Sequence, residues 1–206
     1  MAEAALLLKC AEMSRDVYSA EKDFLYDASS CDGYKILAIE GTQEKTDWIT
    51  NIKFLFKRND MHRGFKANAE RTLTNMIADG LDMPHERRLV ITGHSLGGAS
   101  ATCLADILKE RYPDLILVTF GSPRPGGTKL KKRMSDIKHY RYVHGDDIVP
   151  RTPPALLGGF VHTAPKIELE DEDDRLFDGV DDHMISHYVN ALKKEQEAQQ
   201  IKLEVE

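Results

Sequence analysis

The stretch that most restricts the fold lies near the middle of the chain. Arg88-Leu89-Val90-Ile91-Thr92 is a short apolar run closed by glycine, the pattern of a strand buried on both faces. Gly93-His94-Ser95-Leu96-Gly97-Gly98 follows at once, and Ala99 to Arg111, rich in Ala and Leu, reads as a helix. Turning from strand into helix within so few residues needs a very tight corner. Side chains must be absent beside it, which is what the glycines flanking Ser95 provide. The corner lifts the Ser95 hydroxyl clear of the sheet at a helix N-terminus, where dipole and free N–H groups favour negative charge. Strands and helical runs alternate on either side. Tyr34 to Ile39 predicts a strand entered through the turn Cys31-Asp32-Gly33. Phe65 to Ala78 predicts a helix that stops at Gly80, with Leu73, Met76 and Ile77 on its inner face. Leu115 to Phe120 and His139 to Val143 predict two more strands. Together these imply an α/β fold with a mostly parallel sheet flanked by helices, in one domain of 206 residues.

The ends are less regular. Leu6, Cys10, Met13 and Val17 fall at helical spacing, so Ala2 to Ser19 predicts an amphipathic opening helix. Its apolar start is too short for a signal sequence and no positive residue precedes it, which points to a cytoplasmic protein. The odd count of three cysteines, Cys10, Cys31 and Cys103, without metal-like spacing, points to free thiols in a reducing compartment. Phe160-Val161-His162 and Lys166 to Leu169 are candidate short strands. The acidic run from Glu168 to Asp174 lacks the glycine and ligand spacing of a calcium loop and reads as a solvated loop. Tyr188 to about Gln200 predicts a last helix, its end from Lys193 onward a polar tail. A balance of 28 Lys+Arg against 34 Asp+Glu, net −6, argues against nucleic acid as the main partner. No apolar run approaches the roughly 20 residues of a transmembrane segment.

A serine hydroxyl is a poor nucleophile unless a base takes its proton, and that base needs an orienting carboxylate. On a sheet of this kind the partners follow in the order Ser, Asp or Glu, His. Gly145-Asp146-Asp147-Ile148-Val149-Pro150 comes just after a predicted strand, and Asp181-Asp182-His183-Met184-Ile185-Ser186-His187-Tyr188 offers two histidines before the last helix. An oxyanion hole needs two preorganised donors, and the backbone N–H of Leu96, directly after Ser95, is one.

Several segments, in order, resemble the class 3 lipase family, the fungal-lipase-like branch of the α/β-hydrolases. They are Ile39-Glu40-Gly41-Thr42, Thr46-Asp47-Trp48-Ile49, His62-Arg63-Gly64-Phe65, Gly93 to Gly98, Thr119-Phe120-Gly121-Ser122-Pro123-Arg124-Pro125-Gly126, and Asp147-Ile148-Val149-Pro150 with Pro153-Pro154. The resemblance implies an α/β-hydrolase fold and a serine carboxylic ester hydrolase acting on lipid or smaller acyl esters, with no metal or organic cofactor. It makes Ser95 the nucleophile and favours Asp147 over Asp146 as the carboxylate. Among the histidines it favours His183, with His62, His94, His144, His162 and His187 left to packing or the surface. Thr42 becomes the second oxyanion donor. The family usually carries Arg where this chain has Glu40, a charge reversal that questions how the oxyanion loop is braced. Gln43 to Phe56 takes the family's lid position, with Trp48, Ile49 and Ile52 on one face and transient contact with a lipid interface implied. Phospholipase A1, feruloyl-type esterase and a non-catalytic lipase-like binding domain are the alternative readings.

Overall fold

A computed structural model describes residues 2–19, 26–31, 33–41, 57–58, 60–81, 88–156, 158–170, 179 and 182–205. Helix α1 (Ala2–Asp16) runs into a 3-10 turn, Val17–Ser19, much as the spacing of its apolar residues implies. Strands β1 (Tyr26–Cys31) and β2 (Tyr34–Ile39) form an antiparallel hairpin, and β3 (Lys57–Arg58) pairs with β4 (Met61–His62). There follow α2 (Arg63–Ala78), β5 (Arg88–His94), α3 (Leu96–Leu108) and β6 (Ile116–Phe120). The chain continues through α4 (Thr128–Arg133), β7 (Lys138–His144), β8 (Ile167–Leu169) and α5 (Ile185–Val205).

The main sheet has the order β1-β2-β5-β6-β7-β8, and every pairing from β2 to β8 is parallel. From β2 to β7 each connection steps one strand further in the same direction. Right-handed crossovers therefore place α2, α3 and α4 on one face. Alternation along each strand sorts the core accordingly. Leu37, Ile39, Leu89, Ile91 and Leu117 pack with Phe65, Ala69, Leu104 and Leu130 beneath those three helices. Ile36, Ala38, Val90, Val118 and Phe120 pack on the opposite face with Leu6, Cys10 and Met13 of α1 and Tyr188, Val189 and Leu192 of α5. Each fully buried Leu, Ile or Phe contributes roughly 1.5–3 kcal/mol of transfer free energy.

Several sequence expectations change. Ile77 is 71% exposed, because α2 buries Phe65, Ala69, Thr72 and Met76, a stripe that Ile77 sits beside. The Phe160–His162 segment forms no strand; Val161 makes a single bridge to Gly126. The polar tail from Lys193 is helical to Val205, built from good helix formers and tied to α1 by Lys193 and Glu12 at 3.5 Å. Most of the acidic run lies outside the described residues. The three cysteines are free thiols, and burial raises the pKa of Cys10 and Cys103, leaving both protonated.

Candidate active site

Strand β5 delivers Ser95 to the sheet's C-terminal edge in a conformation that few side chains adopt, φ 58° and ψ −129°. The corner is pinned from both sides. Ser95 N–H donates to the Phe120 carbonyl at 2.9 Å, and the Ser95 carbonyl accepts from Gly98 N–H at 3.0 Å. A Cβ on Gly93 would lie 2.5 Å from the Gly97 carbonyl carbon, and one on Gly97 would lie 2.3 Å from the Ile39 carbonyl oxygen. Backbone occupies that space, so only glycine fits at either place. The strained serine costs roughly 1–3 kcal/mol, held by the surrounding sheet.

Two loops bring partners to it. Beyond β7 a turn at Gly145 carries Asp147 inward, and the turn before α5 carries His183 over the elbow. His183 Nε2 stands 2.9 Å from Ser95 Oγ, and His183 Nδ1 stands 2.9 Å from Asp147 Oδ2. A carboxylate offers only acceptors, so Nδ1 carries the proton and Nε2 presents its lone pair to the serine hydroxyl. The Asp147 side chain is fully buried, which would be costly for a bare charge. Its oxygens are satisfied: Oδ1 accepts from Val149 N–H at 2.8 Å, and Oδ2 accepts from the Tyr188 hydroxyl at 2.5 Å. Burial first, and then the Asp147 charge, push the Tyr188 pKa well up, so the phenol keeps its proton and donates. Gly121 (φ +55°) closes the group from below, since a Cβ there would meet Asp147 Oδ2 at 2.7 Å and His183 Nδ1 at 2.9 Å.

The structure thus gathers Ser95, His183 and Asp147 into one hydrogen-bonded line and leaves their sequence neighbours aside. Asp146 points outward to Arg151 at 2.9 Å, while its N–H donates to Asp182. His187 lies against the buried His144, ring centroids 5.4 Å apart. His62 packs on Phe65 at 4.3 Å, and His162 donates to the Pro150 carbonyl at 2.8 Å. Leu96 is the first residue of α3, so its N–H has no intrahelical acceptor. Thr42, Trp48, Ile49, Ile52 and the whole candidate lid 43–56 lie outside the described residues. Among the described residues no cluster of His, Cys, Asp or Glu could hold a metal ion. The sequence places Tyr188 only at the start of the last helix and gives no sign that its hydroxyl donates to Asp147.

A mostly parallel sheet with a strained serine at a strand-to-helix corner, facing a His–Asp pair on later loops, defines the α/β-hydrolase fold class. The sequence model described as lipase (class 3) matches residues 36–157, and the chain belongs to that family. It is 34% identical over 146 residues to secreted mono- and diacylglycerol lipase 1 of Fusarium solani, covering 66% of this chain and 44% of that protein. It is 38% identical over 95 residues to the toxin TseL of Vibrio cholerae, covering 45% of this chain and 15% of that protein. The chain therefore spans less than half the length of these curated relatives. The fold superimposes on the Rhizomucor miehei lipase–propeptide complex with a TM-score of 0.66 at 22% identity, covering 84% of this chain and 70% of that one.

Proposed function

We propose that this chain is a serine carboxylic ester hydrolase acting on acylglycerol-like lipids or shorter acyl esters. The observation that carries the reading is the unbroken line from Ser95 Oγ through His183 to the buried Asp147, each step 2.9 Å. As Ser95 attacks the ester carbonyl, its proton passes to His183 Nε2, and Asp147 stabilises the resulting imidazolium without taking the proton. The carbonyl oxygen becomes an oxyanion at the N-terminus of α3, where Leu96 N–H is available and Thr42 is the proposed second donor; each such donor is worth about 2.7–4 kcal/mol. His183 then protonates the departing alcohol. Water, deprotonated by the same imidazole, releases the acid from Ser95.

The acylglycerol preference is supported by membership of the class 3 lipases and by similarity to the mono- and diacylglycerol lipase of Fusarium solani. The proposed lid, residues 43–56 with Trp48, Ile49 and Ile52, gives transient contact with a lipid surface. Hydrolysis of a chain-length series of nitrophenyl esters beside an emulsified diacylglycerol tests both claims. The expected result is turnover by the wild type, none by Ser95→Ala, and a rate jump above the micelle threshold. Equal turnover by the alanine variant contradicts the hydrolase reading, and smooth saturation contradicts the lid.

A further inference from the structure

Beneath the imidazole lies a second ring that takes no part in the acyl transfer. His94, between the elbow's first glycine and Ser95, is 7% exposed, and its ring centroid lies 4.5 Å from that of His183, tilted by 32°. His94 Nε2 is 2.7 Å from the His183 carbonyl oxygen. A carbonyl only accepts, so Nε2 carries the proton and Nδ1 presents a lone pair. That lone pair faces the Tyr18 hydroxyl at 3.2 Å. The same hydroxyl presses on the backbone just past β2, for a Cβ on Gly41 would stand 2.1 Å from it. One phenol at the end of the α1 segment therefore touches both the backbone before Thr42 and the ring that grips His183.

We propose that Tyr18 and His94 are a positioning pair for the catalytic imidazole: Tyr18 fixes the tautomer of His94, and His94 fixes the backbone and ring plane of His183. The inference rests on the hydrolase reading above. His183 sits in a turn outside the regular elements, so its aim at Ser95 depends on what its carbonyl and ring touch. Burial, and then the nearby His183, lower the His94 pKa well below the usual histidine value, so the ring remains neutral. A neutral ring adds no second cation against the imidazolium formed during attack. Burial, followed by the Glu40 charge, raises the Tyr18 pKa, so the phenol stays a donor. The same hydroxyl braces Gly41, directly after Glu40.

The test compares His94→Leu, His94→Gln and Tyr18→Phe, with kcat and KM for a nitrophenyl butyrate measured per site titrated with a fluorophosphonate. Loss of aim predicts a fall in kcat of about 10–100-fold for His94→Leu with KM unchanged within about twofold. Glutamine places an amide N–H where Nε2 stood, so His94→Gln restores kcat to within about fivefold of wild type. Tyr18→Phe lowers kcat about 3–10-fold alone and has no further effect in the His94→Leu background, which offers the phenol no acceptor. Wild-type kcat per titrated site in His94→Leu overturns the proposal, as does a glutamine variant no better than leucine. If the leucine variant does not fold, an unchanged kcat in Tyr18→Phe overturns it. A wild-type chain that neither turns over nor labels overturns the hydrolase reading beneath it.

Discussion

Adding one methyl group at Gly121 strikes the site without altering any polar residue. The backbone there has φ +55°, so an L side chain costs roughly 1–2 kcal/mol before it touches anything. The new carbon would lie 2.7 Å from Asp147 Oδ2, 2.9 Å from His183 Nδ1 and 3.0 Å from His183 Cε1. Relaxed contacts are near 3.5 Å, so both groups must retreat by roughly 0.5–0.8 Å. Neither is a free chain end. Asp147 is held by Val149 N–H and Tyr188, and His183 by the His94 ring. Overpacking adds about 1–3 kcal/mol, giving a total destabilisation of roughly 2–5 kcal/mol. Misplacement by about an ångström costs about 10²-fold, so kcat of Gly121→Ala should fall about 30–100-fold, with KM within about threefold. Gly80→Ala is the control: its φ is +65° and nothing lies within 4 Å of the added carbon. It should lose only the backbone term, roughly 1–2 kcal/mol, and keep wild-type kcat. Urea unfolding with kcat per titrated site reads both quantities. A folded Gly121→Ala with kcat within twofold of wild type would refute the packing argument.

Asp147→Asn puts an amide where His183 Nδ1 needs an acceptor, so kcat should fall about 10³–10⁴-fold. Asp146→Asn, altering only an exposed ion pair, should change it less than twofold; reversed effects would exchange the two aspartates. Tyr188→Phe removes one donor from a buried carboxylate, with an expected loss of about 1–3 kcal/mol in urea unfolding and a kcat reduced about 3–10-fold. Burial lowers the pKa of His139 and His162 to about 3, and that of His94 well below normal. These rings stay neutral in the fold while the unfolded chain protonates them below about pH 6.5, so stability is full above that pH and lost as pH falls. The loss should reach at most about 2 kcal/mol per ring at pH 5, read by urea unfolding at pH 7 and 5; a flat profile would show that the rings are not held neutral.

Much of the architecture was legible because it is local. Glycines 93 and 97 announced the corner, and unbroken apolar runs announced strands covered on both faces. Strand β1 was not legible: Tyr-Asp-Ala-Ser-Ser-Cys has no apolar alternation, because it is an edge strand held mainly by its hairpin with β2. Ile77 was misplaced because it lies one position beyond the buried stripe of α2. The chemistry divided in the same way. Chain order left Asp146 against Asp147, neighbours on one turn that only side-chain direction separates, and His183 against His187, of which the first lies in the turn before α5 and the second inside the helix. Tyr18 carried no signal, since its contacts with Gly41 and His94 are made across the sheet's edge rather than along the chain.

The central claim is that the Ser95 hydroxyl is activated by His183. Treatment with a fluorophosphonate, followed by intact mass and peptide mapping, tests it most directly. The expected result is one stoichiometric adduct on Ser95, lost in Ser95→Ala and slowed at least about 10²-fold in His183→Ala. An adduct on another residue, or labelling at an equal rate without the imidazole, would contradict it.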